Sequence, residues 1–242
     1  IGEIPATPKS DKEVQLPEVE KTMREYVAHY GSPFGYIQEQ GNTVFQQIVP
    51  VKNLESVQIS SSSVTELDLH TETAFHPYPP DYVFLLCLRG DPKAFTTYAN
   101  LDVVLKKLSE TTRKVLRQPW FTTRIDESFV LKGQQDKSFD ISILQGDNQN
   151  TRIVYDKFFM RASSTAGRKA LEELNQSIKS SVKKVALKSG ELMIIDNRKT
   201  VHGRLPFTPR YDGTDRWLMR TLVMKQLPPS KNMSGEIVTT VL

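Results

Sequence analysis

The sequence predicts a mainly β fold with flanking helices, a double-sheet jelly roll, and three observations lead there. Short runs of branched, aromatic or alternating residues recur between turn formers, the pattern of β-strands. Helical spacing is confined to segments before and between those runs, whereas a parallel βαβ series would need a helix after every strand. No internal repeat or low-complexity tract suggests a solenoid or propeller. At 242 residues the chain suits one domain large enough to bury a full core. That single domain is expected to span 1–242, with a polar, Pro-containing lead-in over 1–16 and a core over about 42–225.

The first helix should run from Pro17 to about His29. Val19, Met23, Tyr26 and Val27 recur at helical spacing, and proline suits a first helical position. Gly31, Ser32 and Pro33 end it. Between 42 and 69, "TVFQQIVPV" and the alternating "VTELDL" read as strands, the second closed by His70. "DYVFLLCLRG" reads as a buried strand because its apolar run is unbroken up to Arg89, Gly90 and Asp91-Pro92. "KAFTTYA" continues as a further strand, after which Asn100 can cap a helix over "LDVVLKKLSE". Residues 112 to 160 read as strands joined by polar turns. A helix over 164–185 would put Leu171, Leu174, Ile178 and Val182 on one face. "GELMIIDN" and "DRWLMRTLVMK" are the last strands.

Composition narrows the function. No apolar run approaches the roughly 18 residues of a membrane span, so a membrane partner is not expected. The net charge of +4 is spread along the chain rather than clustered, which argues against nucleic acid. Cys87 is the single cysteine and lies inside an apolar run, so no disulfide framework forms and a reducing cytoplasm fits. The start "IGEIPATPKSDKEVQ" lacks the basic end and apolar core of a signal peptide. A homo-oligomer is left open.

The chemistry concentrates in "LHTETAFHPY", residues 69–78. His70 and Glu72 stand two apart at a strand end, so both project from one face while Thr71 turns away. Such a pair needs a third metal ligand, available in His29, His76 or His202. His202 is the best of these, because it follows a strand within the turn-like "DNRKTVHGRLPF". Two imidazoles and a carboxylate on one side of a metal form the facial triad of non-haem Fe(II) oxygenases, with open positions for substrate. A catalytic zinc would accept the same donors but normally keeps one open position. Taken singly the residues have plainer readings. An isolated H-x-E is a weak signal, His76 reads as a packed loop residue, and His29 complements a helix dipole. Further on, Arg216 and Arg220 are four apart on a strand and share a face with Leu218. Guanidiniums directed into a core need anions, either bound ligands or buried Asp and Glu partners.

The ordered set "LDLHTETAFHPYPPDYVFLLCLRGD", "FTTYAN", "GELMIIDNRKTVHGRLPF" and "DGTDRWLMRTLV" resembles the clavaminate synthase-like branch of the Fe(II)/2-oxoglutarate oxygenases, relatives of taurine dioxygenase. The resemblance covers roughly residues 45–225. It implies a double-stranded β-helix, cupin-like core and an amino-acid hydroxylase using Fe(II), 2-oxoglutarate and O₂. His70, Glu72 and His202 would be the iron ligands, with Glu72 the carboxylate that makes hydroxylation rather than halogenation the outcome. Arg216 would grip the distal carboxylate of 2-oxoglutarate, helped by Thr97 or, in the alternative register, Thr96. Arg220 would take the carboxylate of the amino acid, and Ser60, within a serine run, its amino group.

Asp156 in "RIVYDKFFMRAS" matches the acid that faces the substrate side chain, although from the residues alone it is a turn acid. A carboxylate in a pocket selects a cation, so a free basic amino acid is implied as the small-molecule partner. Arginine-type members place a second acid two residues earlier, where this chain has Val154. That favours lysine over arginine or ornithine, with succinate and CO₂ as co-products. Desaturation or ring closure would share this chemistry. The rival readings are a carrier-tethered or peptidyl amino acid, another small substrate, or a jelly-roll metal- or ligand-binding module without catalysis.

Overall fold

The computed structural model describes residues 2–10, 14–39, 42–126, 129 and 138–241. It opens with α1 (Pro17–Val27), followed by β1 (Ser32–Tyr36), β2 (Phe45–Ile48), β3 (Leu67–His70), β4 (Tyr82–Arg89) and β5 (Thr96–Asn100). Two short helices come next, α2 (Leu101–Leu105) and α3 (Glu110–Leu116). The middle holds β6 (Phe121–Arg124), β7 (Ser138–Ile141), β8 (Leu144–Gln145), β9 (Arg152–Ile153) and β10 (Arg161–Ala162). Then come α4 (Thr165–Lys179), β11 (Lys183–Val185), β12 (Leu192–Asp196), β13 (Thr200–Arg204), β14 (Trp217–Met224), β15 (Met233–Ser234) and β16 (Ile237–Val238).

Two sheets organise the jelly roll. The larger runs β12-β4-β14-β1-β16-β15, with β2 sharing the β1 side of β14, and the smaller runs β11-β5-β13-β3. Side-chain alternation sorts the core. On β4, Val83, Leu85 and Cys87 join Leu218 and Leu222 of β14 in one cluster. The intervening Phe84, Leu86 and Leu88 join Trp217, Met219 and Val223 against Val19, Met23 and Val27 of α1. Burial on both faces explains why "YVFLLCL" shows no polar alternation. Each fully buried large side chain here contributes roughly 1.5–3 kcal/mol. The smaller sheet sends Leu69, Ala99 and Val201 outward onto α2, α3 and α4, through Leu101, Leu116, Ala170 and Leu174.

The expected elements are largely present, with differences of physical origin. α1 buries Val19, Met23 and Val27, while Tyr26 lies on its exposed face. The predicted helix after Asn100 is two: Asn100 caps α2, and Ser109 then accepts from Thr112 N and starts α3 afresh. α4 ends at Lys179, so Val182 lies outside it and is exposed. The larger sheet also reaches beyond the expected 42–225 core, taking in β1, β15 and β16. Much of the strand-and-turn reading over 127–137 lies outside the described residues. Among the described residues, no helix is long and apolar enough to cross a membrane.

Candidate active site

β3 and β13 are antiparallel neighbours with His70 directly opposite His202. Their rings turn away from the helices, because the adjacent Leu69 and Val201 take the helix side. Glu72 follows just past β3. Its Oε2 lies 3.3 Å from Nε2 of His202 and 4.0 Å from Nε2 of His70. All three donor atoms fall within 4.8 Å of one another. A first-row ion held at right angles by bonds of about 2.1 Å would set its donors ~3 Å apart, so the trio fits one with slight closure. His70 Nδ1 is 2.7 Å from the Asp68 carbonyl; donating there leaves the lone pair on Nε2, facing the other two donors.

The Glu72 segment has left the β ladder and is held by side chains instead. Asn197, between β12 and β13, accepts from Glu72 N at 2.7 Å and donates to Glu72 O at 3.2 Å and Pro80 O at 3.0 Å. The next residue, Thr73, adopts φ 49°, and its hydroxyl sits 3.0 Å from that of Tyr36. On the opposing strand Gly203 brings β13 against β3: a Cβ there would lie 2.4 Å from the Leu67 carbonyl oxygen. Only glycine allows that approach, which sits at a register irregularity between His202 and Arg204.

On one side of the trio lies a cleft of about 120 Å³, lined among others by Ser60, Glu39, Asp126, Asp156 and Arg220. Arg220, 5% exposed, donates Nη1 to Glu72 Oε1 at 2.8 Å, Nε to Gln46 Oε1 at 2.7 Å, and Nη2 to Glu39 and Gln46. Burial opposes its charge, but Glu39 and Glu72 outweigh that and hold the guanidinium above its ordinary range. Burial also opposes ionisation of Glu72, yet Arg220 and the imidazoles keep its carboxyl far below the carboxylate norm. Glu39 moves the other way: burial pushes it up, against Arg220. The Asp156 backbone forms an isolated antiparallel β-bridge with that of His70, and its carboxylate accepts from Phe159 N at 2.8 Å, the turn role its sequence context suggests. Burial raises its carboxyl, with His70 opposing and Asp126 adding to the rise.

The other side is a smaller cavity of about 50 Å³, lined among others by Thr96, His202, Arg204 and Arg216, and it shares Glu72 and Arg220 with the cleft. Arg216 is 6% exposed, and its Nη2 donates to Thr96 Oγ1 at 3.0 Å. Burial pushes this guanidinium down to about 10, so it stays charged at neutral pH. Thr97, the residue favoured from sequence, does not partner Arg216. β5 alternation places it with Ala99 on the helix side, and Thr96 takes the inner face. His29 is exposed just past α1. His76 is buried outside the trio, its Nδ1 accepting from Tyr78 N at 3.0 Å.

Sequence reasoning missed Glu39, Gln46, Asp126, Asn197 and Arg204. Two carried a local signal: Gln46 and Gln47 form an amide pair inside an apolar strand, and Arg204 is two residues from His202, hence on its face.

The family described as "Taurine catabolism dioxygenase TauD, TfdA family" matches residues 14–222. L-asparagine oxygenase of Streptomyces coelicolor (strain ATCC BAA-471 / A3(2) / M145) is 40% identical over 205 residues, 84% of this chain and 61% of that protein. L-lysine 3-hydroxylase of Catenulispora acidiphila (strain DSM 44928) is 34% identical over 232 residues, 93% of this chain and 64% of that protein. The chain therefore spans less than two thirds of the length of either relative. Among solved structures, asparagine oxygenase in complex with Fe(II), 2S,3S-3-hydroxyasparagine and succinate superposes with a TM-score of 0.90 at 35% identity, covering 98% of this chain and 76% of that one. The non-heme iron oxygenase OrfP, in complex with Fe and alpha-ketoglutaric acid, superposes at 0.87 and 32% identity, covering 97% and 76%. A match running from α1 through most of β14, with the smaller sheet, most of the larger one and the trio inside it, establishes that this chain belongs to the TauD/TfdA dioxygenase family.

Proposed function

We propose that this protein is an Fe(II)/2-oxoglutarate-dependent dioxygenase that hydroxylates an unactivated C–H of a free basic L-amino acid, releasing succinate and CO₂. The observation that carries this is the division of charge around one trio. Among the described residues, a buried arginine with no carboxylate in ion-pair distance lies on one side, and an arginine held by two acids lies on the other. His70, Glu72 and His202 would hold the iron. When bound, iron and 2-oxoglutarate supply the oxidising power that splits O₂ between succinate and the product. The chain's own residues position the reactants and exclude water.

Arg216, with Thr96, takes the distal carboxylate of 2-oxoglutarate as a planar fork. Arg220 takes the amino-acid carboxylate. Of its five N–H groups, one on Nη1 remains beyond the bonds to Glu72, Glu39 and Gln46. Glu39, beside it in the cleft, and Ser60 then face the α-ammonium. Asp156 and Asp126 face the far end of the substrate and favour a cationic side chain over a neutral one. Lysine is put first and arginine or ornithine next, since Val154 stands where a further acid would fork a guanidinium. With its one thiol, Cys87, buried and unpaired, the protein suits a reducing cytoplasm.

The test is anaerobic loading with Fe(II) and 2-oxoglutarate, then O₂ with a panel of free amino acids, following succinate together with the mass gain of one oxygen atom. Lysine, arginine or ornithine should give both signals. Asparagine alone giving both would overturn the roles assigned to Asp156 and Asp126. Succinate at the uncoupled background for every amino acid would transfer the reading to a tethered or peptidyl substrate.

A further inference from the structure

Arg204 lies on β13 two residues beyond His202, with its backbone directly opposite Thr96 of β5. Residues opposite in an antiparallel pair share a face, so Arg204 and Thr96 both project inward, and the Thr96 hydroxyl accepts from Arg216. Arg204 and Arg216 line the same cavity and are 3% and 6% exposed. Arg204 donates Nη1 to Ser63 O at 3.0 Å and Leu205 O at 3.1 Å, and Nη2 to Ser62 Oγ at 2.7 Å and Thr65 O at 3.1 Å. All four acceptors are neutral, its guanidinium carbon lies 5.3 Å from the centroid of the Phe207 ring, and among the described residues its buried Nε has no partner. Among the described residues no carboxylate comes within ion-pair distance of either guanidinium. Asp91, the acid nearest in effect to Arg216, is itself bonded to Arg210 at 3.1 Å.

A loop latch alone would explain the four bonds to residues 62–65 and 205. With the Phe207 ring it compensates part of one buried charge, but two like charges in one cavity still cost stability unless an anion completes them. We propose that Arg204 is a further cation of the cosubstrate cavity, adding its charge to that of Arg216 in binding the dianionic 2-oxo acid. This rests on the reading that 2-oxoglutarate occupies this cavity. Arg204 is thus a binding residue through its field, while its N–H groups fix the serine loop.

The experiment measures the dissociation constant of 2-oxoglutarate on the anaerobic Fe(II) protein by absorption, beside the Fe(II) dissociation constant. Arg204→Gln should weaken 2-oxoglutarate by about tenfold or more with iron affinity unchanged, and Arg204→Lys, which keeps the charge, by less than about threefold. Equal losses in both variants, or no loss in Arg204→Gln, would overturn the proposal in favour of a latch. Should Arg204→Gln fail to fold, Arg204→Lys and Ser62→Ala carry the test. Both staying within about threefold supports the charge, and a loss of about tenfold in either overturns it. Arg216→Gln separates this inference from the reading beneath it. If Arg216→Gln also leaves 2-oxoglutarate binding intact, the cosubstrate lies elsewhere; if only Arg204→Gln does, the further cation alone is wrong.

Discussion

Arg216 and Arg220 are the same residue type, four positions apart, almost equally buried, yet their surroundings are opposite. Arg220 meets Glu72, Glu39 and Gln46, and its charge is met before any ligand arrives. Arg216 donates to the Thr96 hydroxyl and, among the described residues, meets no carboxylate in ion-pair distance, while the cation Arg204 lines the same cavity. A compensated cation in a cleft with further acids suits a ligand carrying both signs of charge. A pair of cations with no carboxylate in ion-pair distance among the described residues suits an anion. Glu72 stands between the two regions, giving one oxygen to Arg220 and the other to the imidazoles. The difference teaches that neither burial nor residue type identifies a ligand site; the missing counter-charge does.

Glu72→Gln would break the comparison most severely, since one charge serves both the metal trio and Arg220. Turnover should fall by about a thousandfold or more, roughly 4 kcal/mol, and Fe(II) affinity should fall with it in equilibrium binding. Near-native turnover with intact iron binding would remove Glu72 from the centre of the site. Arg216→Met strikes only the anion side. The KM for 2-oxoglutarate should rise about a hundredfold, near 2.7 kcal/mol, while the KM for the amino acid changes little. A parallel rise in both would mean that the two regions are not separate.

Asp156→Asn sharpens the other side. The kcat/KM for lysine should drop by about ten- to fiftyfold while that for a neutral amino acid holds or rises, read from competition assays. An unchanged ratio would assign Asp156 to its turn alone. The smallest effect separates two adjacent threonines: Thr96→Val should raise the 2-oxoglutarate KM about three- to tenfold, and Thr97→Val less than about twofold. The reverse order would restore the sequence-based preference for Thr97.

How much could be read in advance differs from element to element. β4 and β14 were plain because long apolar runs have one stable destination, a strand covered on both faces. α3 was missed because Ser109 restarts a helix within seven residues of polar text, too short to show a period. The H-x-E pair and the even spacing of the two arginines singled out the right neighbourhood, but β3 ends at His70 and β14 begins at Trp217, so Glu72 and Arg216 stand just outside the strands whose alternation the reading used. Thr96 and Thr97 remained unsorted, because a run of threonines does not reveal which face is inner.

The sequence by itself determined the jelly-roll class and drew attention to His70, Glu72 and the two arginines, because period-two alternation and apolar burial act along a few consecutive residues. Only the tertiary structure decided that His202 stands opposite His70, that Asn197 holds Glu72, and that Glu39 and Gln46 reach Arg220 from more than 170 positions away. Those contacts depend on sheet register and chain closure. Whether a buried charge finds a counter-charge is therefore settled by which distant strands pair, and that is where the two sides of this site part.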